Sequence, residues 1–197
     1  MPSVQEPYRL EGRTAIVVGP ADELSRHITA ALTAAGVSVS RTCPEFPLPP
    51  ASNGALEAAD ILVLQTFVDP GDAIGGGWEA IDRLHRLHIA LPIALMAKWA
   101  PAMSRRHWGR VLFLAGGEAL PAAIAIQSAQ SALMQAEARR LAAAGITVNL
   151  ITVNSSIAAL STEAMDAIAS AALYFVSDET GFVTGQTLQI GCDVRRV

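Results

Sequence analysis

The chain has 197 residues, 51% apolar, 5% aromatic and 16% charged, with a formal net charge of -4. That balance suits one domain around a single core and excludes long disordered tracts. The charge leaves no electrostatic footprint for nucleic acid or an anionic membrane. Two cysteines, Cys43 and Cys192, cannot build a disulfide framework or a four-ligand zinc site, which suits a reducing cytoplasm. Of 14 basic residues only Lys98 is a lysine, and Tyr8 and Tyr174 are the two tyrosines, so chemistry needing Tyr beside Lys is short of material. Residues 1–13 are polar and lack the apolar core of a signal peptide. No run reaches the roughly 18 apolar residues of a membrane span. The expectation is a soluble cytoplasmic protein.

In chain order, Thr14–Val18 is a β-branched run ending at Gly19-Pro20, which predicts a buried strand. Residues 22–35 follow as a helix, with Leu24, Ile28, Ala31 and Leu32 on one face and Gly36 at its end. Further strands are expected at 37–40, 61–64, 111–114, 146–151 and 187–190, and further helices at 78–105, 121–144 and 162–176. Strands separated by helices imply a parallel sheet covered on both faces, an α/β doubly wound architecture.

Pro44, Pro47, Pro49 and Pro50 exclude regular helix and central strand from residues 44–54. Between Cys43 and Asp60 lie 16 residues (44–59). One crossover takes about a dozen, so a single connection fits and an extra strand with two helices does not. Val68 to Gly77, with its Gly75-Gly-Gly77 triplet, reads as a second loop.

Five segments in this order resemble the short-chain dehydrogenase/reductase family. Leu10–Gly19 is similar to its opening strand, Ala59–Val63 to its fourth and Gly109–Leu112 to its fifth. Ser131-Ala-Leu with Leu141–Asn149 resembles its long helix and sixth strand, and Phe182–Ile190 its seventh. The resemblance implies one Rossmann-like domain over residues 1–197, shortened at 44–58 and 154–163. With the third strand lost, the family order becomes 2-1-4-5-6-7, six strands with residues 37–40 on the edge.

The resemblance also shows where function should sit, and those positions depart from the family pattern. The Thr-Gly-x-x-x-Gly-x-Gly turn, which brings backbone against a dinucleotide diphosphate, reads Val18-Gly-Pro-Ala-Asp-Glu-Leu-Ser25. Gly19 remains, while Glu23 and Ser25 replace the later glycines. Asp22 and Glu23 read more simply as a cap and dipole partner for the helix start. The Asn-Asn-Ala-Gly motif reads Leu64-Gln-Thr-Phe67, with Phe67 where glycine leaves room for cofactor. The catalytic serine falls near Gly116, with no hydroxyl until Ser128. Tyr-x-x-x-Lys, aligned through Ser131-Ala-Leu133, lands on Ile126 and Gln130, and the helical asparagine falls near His88. The Pro-Gly over the nicotinamide reads Val153-Asn154. In the family the tyrosine exchanges the proton and the lysine lowers its pKa; isoleucine and glutamine do neither. NAD(P) in the usual pose is therefore not expected, and no bound cofactor is.

Arg41 stands where some family members hold a 2′-phosphate, and equally reads as a solvated charge at a strand end. His85 and His88 have the i, i+3 spacing of a ligand pair, with only Asp82 to extend it, so no metal site is expected. Ser155-Ser156 is read as the cap of the following helix, and Glu118 as a lone carboxylate near the former serine position.

What the chain retains are the segments that build subunit contacts in this family. The run Ala122–Met134 is apolar or small on almost every face, which calls for burial on all sides. The expectation is a catalytically inactive subunit, structural or regulatory, assembled with an active short-chain dehydrogenase paralogue, with itself, or with both. Contacts are expected through helices 78–105 and 121–144 and the last strand. The alternatives are an NAD(P)-dependent oxidoreductase with rebuilt chemistry through His88 or Glu118, and a non-catalytic small-ligand sensor.

Overall fold

The structure, a computed structural model, describes residues 8, 10–43, 59–68, 77–118 and 120–191. Six parallel strands form one sheet: β1 (Thr14–Val18), β2 (Ser38–Thr42), β3 (Ile61–Phe67), β4 (Gly109–Gly116), β5 (Ile146–Val153) and β6 (Thr187–Ile190). Their order is β2-β1-β3-β4-β5-β6, so the reduced Rossmann-like sheet and the edge position of β2 match the sequence reading. Residues 44–58, where the shortening was expected, lie outside the described residues, as do residues 69–76 of the second loop and Cys192.

Among the described residues, five α-helices surround the sheet: α1 (Glu23–Ala34), α2 (Gly77–His85), α3 (Leu91–Arg106), α4 (Pro121–Leu141) and α5 (Thr162–Val176). β3 is buried over its first six residues and β4 over all eight. Such strands need apolar side chains on both faces, which is why they read as continuous runs rather than alternating ones. On one face Val17, Val63, Leu112 and Ile151 pack against Leu24, Ile28 and Leu32 of α1 and Ile168 and Ala172 of α5. On the other, Leu62, Phe113 and Leu150 pack against Leu95, Trp99 and Met103 of α3 and Met134 and Ala138 of α4.

The expected single helix 78–105 is in fact two helices joined by a π-helical turn, Arg86–Ala90. Pro92 explains the break. It has no N–H to donate to the carbonyl four residues back, that of His88, so the regular ladder cannot pass through this point. The turn also separates the two histidines: His88 is buried and His85 exposed. Asp82 pairs with Arg86 at 2.5 Å instead of extending them. The cap of α5 likewise differs from expectation. Ser161, not Ser155 or Ser156, accepts the Ala164 N–H at 3.2 Å, because a 3₁₀ turn (Ile157–Ala159) intervenes.

At the N-terminal edge of the sheet, the Trp108 ring lies between two guanidiniums, Arg13 at 3.7 Å and Arg110 at 4.3 Å. Its Nε1–H donates to Asp178 at 2.8 Å. Burial pulls the Arg110 pKa below its ordinary value, partly offset by the Asp178 charge and lowered further by Arg13. Arg110 Nε donates to the Ser177 carbonyl at 3.2 Å, tying β4 to the end of α5.

Two turns also interlock there. His107 ends α3 with φ +52°, and Gly145 enters β5 with φ +73°. A Cβ on Gly145 would lie 2.3 Å from the His107 carbonyl oxygen. Gly145→Ala should therefore lose about 2 kcal/mol or more of stability, read as a lower urea midpoint, since the left-handed penalty adds to a backbone clash. An unchanged midpoint would mean the two turns are not locked.

Candidate functional site

In an open parallel sheet ligands bind beyond the carboxyl ends of the strands, where connections leave in opposite directions. Here that point lies between β1, whose chain turns out to β2, and β3, which begins the run to β6. Two clefts flank it. One, of about 170 Å³, is walled by Val18, Leu64, Leu91 and Leu95 with Gly19 and His88. The other, of about 560 Å³, is lined by Pro20, Asp22, Phe67, Val68, Ser156 and Ile157, among others.

The first turn is organised by Asp22. Its Oδ1 accepts the Ser25 N–H at 2.8 Å, which makes Asp22 the cap of α1, and the Ser25 hydroxyl donates to the Asp22 carbonyl at 2.9 Å. Its Oδ2 accepts Nε2–H of Gln65 at 2.5 Å. Glu23, in the first helical turn, pairs with Arg26 at 2.6 Å. Gly19 has φ +152°, and a Cβ there would stand 2.7 Å from Cβ of Gln65. The glycine thus makes room for Gln65. This glutamine was not singled out in the sequence; a polar residue inside the apolar run Ile61–Phe67 was the available signal.

Two residues along β3, Phe67 lies over Gly116. A Cβ on Gly116 would come within 2.1 Å of the phenyl ring. Phe67 and Gly116 are register partners on adjacent strands, so the ring fills the space in which a side chain at 116 would project.

Of the three remaining positions singled out in the sequence, Gln130 and His88 meet. Ile126, on α4, is half-buried against the small cluster of Val68, Leu84 and Ala123. Gln130 is fully buried, and its Nε2–H donates to the His88 carbonyl at 3.3 Å, the group four residues before Pro92, which has no N–H to offer it. Gln130 Oε1 has no hydrogen-bond partner among the described residues. This arrangement holds a helix turn in place; Ile126 has no proton to exchange and Gln130 no charge.

The other residues with chemistry stand apart. Lys98 is exposed on α3, 5.2 Å from the Trp99 ring centroid. Tyr174 lies on α5 and Tyr8 precedes β1. Arg41 is exposed on the edge strand, and Glu118 is exposed beyond β4. The Ser128 hydroxyl donates to the Ile124 carbonyl at 2.8 Å within its own helix. Among the described residues, no three His, Cys, Asp or Glu side chains gather as a metal site.

Many solved structures share the fold, among them the following two. A protein described as a dehalogenation enzyme aligns with a TM-score of 0.76 at 18% identity, over 93% of this chain and 98% of its own. A hydroxysteroid dehydrogenase from Escherichia coli aligns with a TM-score of 0.75 at 18% identity, over 94% and 98%. The likeness is one of fold. No protein-family model and no curated protein matches the sequence. No described helix is long and apolar enough to cross a membrane.

The Phe67–Gly116 fit makes a direct prediction. Gly116→Ala should cost about 1–3 kcal/mol with Phe67 present and much less in a Phe67→Ala background, a coupling measurable by a double-mutant cycle in urea. Additive effects would show that the ring does not fill this space.

Proposed function

We propose that this chain is a catalytically silent subunit with a short-chain dehydrogenase-like fold, serving a structural or regulatory role beside an active paralogue. The observation that carries the reading is the pair Ile126 and Gln130 where the resemblance places the Tyr/Lys pair. One is packed in an apolar cluster, and the other is spent on the His88 carbonyl. A proton relay needs a group that exchanges protons near neutral pH and a neighbour that shifts it.

The cofactor side supports the same reading. The usual turn offers a diphosphate free helix N–H groups and a glycine cradle. In this chain the Asp22 carboxylate caps the helix, and Gln65 lies over Gly19. These residues do not fit a diphosphate in that mode. A like charge at about 4 Å costs roughly 4 kcal/mol at an effective dielectric near 20, against about 8 kcal/mol for micromolar binding.

The assembly part rests on α4. Its inner face buries Ala123, Gln130, Met134 and Ala138, while Ile124 is 51% exposed and Ala125, Ala129, Ala132 and Ala136 are exposed beside it. An apolar outer face of small residues suits close packing against a second helix, as in an obligate interface. The final strand, largely exposed, is the second contact we propose.

Two measurements test this. Affinity purification from the native host should recover a second, catalytically competent dehydrogenase chain; an isolated homomer after that search would overturn the mixed-oligomer reading. Calorimetric titration with NADPH and NADH should show no saturable binding below about 100 µM. Clear micromolar binding would favour the alternative, an NAD(P)-dependent oxidoreductase with rebuilt catalytic residues.

A further inference from the structure

We propose that the smaller cleft, of about 170 Å³, binds a small neutral ring molecule carrying one hydroxyl, of the size of phenol. This is a binding role that goes beyond the subunit reading and does not depend on it. The size sets the first limit: an apolar protein cavity of about 150 Å³ admits one benzene ring. The lining sets the second. Val18, Leu64, Leu87, Leu91 and Leu95 wall the cleft, and no Asp, Glu, Lys or Arg stands among its described lining residues. A charged ligand would lose hydration there without gaining a counter-ion, whereas an apolar ring gains by leaving water.

Gln65 supplies the polar anchor. It lines this cleft and not the larger one. Its Nε2–H donates to the Asp22 carboxylate at 2.5 Å. An ionised carboxylate accepts and cannot donate, so the amide is held in one orientation. The oxygen is what Gln65 has left for the cleft. Gln65 is only 7% exposed, and its buried Oε1 has no hydrogen-bond partner among the described residues. A buried acceptor is costly to leave unmatched, and a hydroxyl brings the donor it needs. Leu87 and His88, also in the lining, belong to the π-helical turn Arg86–Ala90. Such turns recur where helices border functional sites. A phenol meets each demand: a ring for the leucines, a donor for Oε1, and no charge at neutral pH.

A matched series of one-ring ligands tests this on the unaltered protein. In calorimetric titrations at about pH 7, phenol should bind with a Kd below about 1 mM and at least fivefold tighter than toluene. Benzoate and benzylamine, charged at that pH, should each bind at least tenfold more weakly than phenol. Gln65→Leu removes the acceptor at similar size. In that variant, with folding checked by its urea midpoint, the preference for phenol over toluene should vanish while toluene binds no more weakly. No saturable phenol binding up to about 10 mM would overturn the proposal. Equal binding of phenol and toluene would assign Oε1 to a bound water and overturn it as well. So would either charged ligand matching phenol, or a phenol preference that survives Gln65→Leu.

Discussion

The end of β3 governs everything at the carboxyl edge of the sheet. Gln65 and Phe67 are two residues apart and therefore project from the same side of the strand. β3 lies between β1 and β4, and each of these side chains claims space over a glycine on a neighbour: Gln65 over Gly19, Phe67 over Gly116. Both neighbours must be glycine for the strands to keep their register while β3 carries these two side chains. The same Gln65 reaches Asp22, so the position of the cap of α1 is coupled to the same strand. One face of one strand thus sets the backbone of the first turn, the charge beside the helix and the shape of the cleft floor.

The helix dipole makes the charge matter. The N-terminus of a helix carries about half a positive charge and several free N–H groups, which attract an anion. In this chain the anion is covalent. Asp22 satisfies the Ser25 N–H with one oxygen and takes the Gln65 amide with the other.

The fold was legible because β-branched runs bounded by glycine and proline mark buried parallel strands regardless of partner. The count of 16 residues between Cys43 and Asp60 allowed one crossover only. Strand lengths were less legible. β3 continues through Gln65 and Thr66, which stay buried because one reaches Asp22 and the other donates to the Leu114 carbonyl at 3.2 Å. Single-sequence apolarity cannot foresee partners 43 and 48 residues away. The broken helix was legible in principle: Pro92 stands four residues after His88 and has no N–H to donate to it. What was not legible was that Gln130 would reach that carbonyl, since the contact depends on how α4 crosses the turn. The Ser131-Ala-Leu133 register drew attention to Ile126 and Gln130; their packing could not be read from it. Ser155-Ser156 had the right residue type for a cap and the wrong geometry, because the 3₁₀ turn places Ser161 there.

The two edges of the sheet carry different loads. At the amino edge, Arg13, Trp108, Arg110 and Asp178 link β1, β4 and the end of α5, and Gly145 fits under His107. The apolar layers on both faces run the length of β3, β4 and β5. None of these contacts involves Gly19, Asp22 or Ile126, and Phe67 joins one layer only from a partly buried position. Substitutions at the carboxyl edge therefore leave the determinants of the fold intact, provided each new bulky side chain meets a glycine, as Gln65 and Phe67 do. Chemistry in such a sheet lives on the loops and strand ends, and packing lives below them. His88 marks the boundary: its carbonyl serves the helix turn through Gln130, while the residue itself lines the smaller cleft. A residue at that height can be recruited to either purpose, and in this chain its polar contact with α4 is used to hold the helix together.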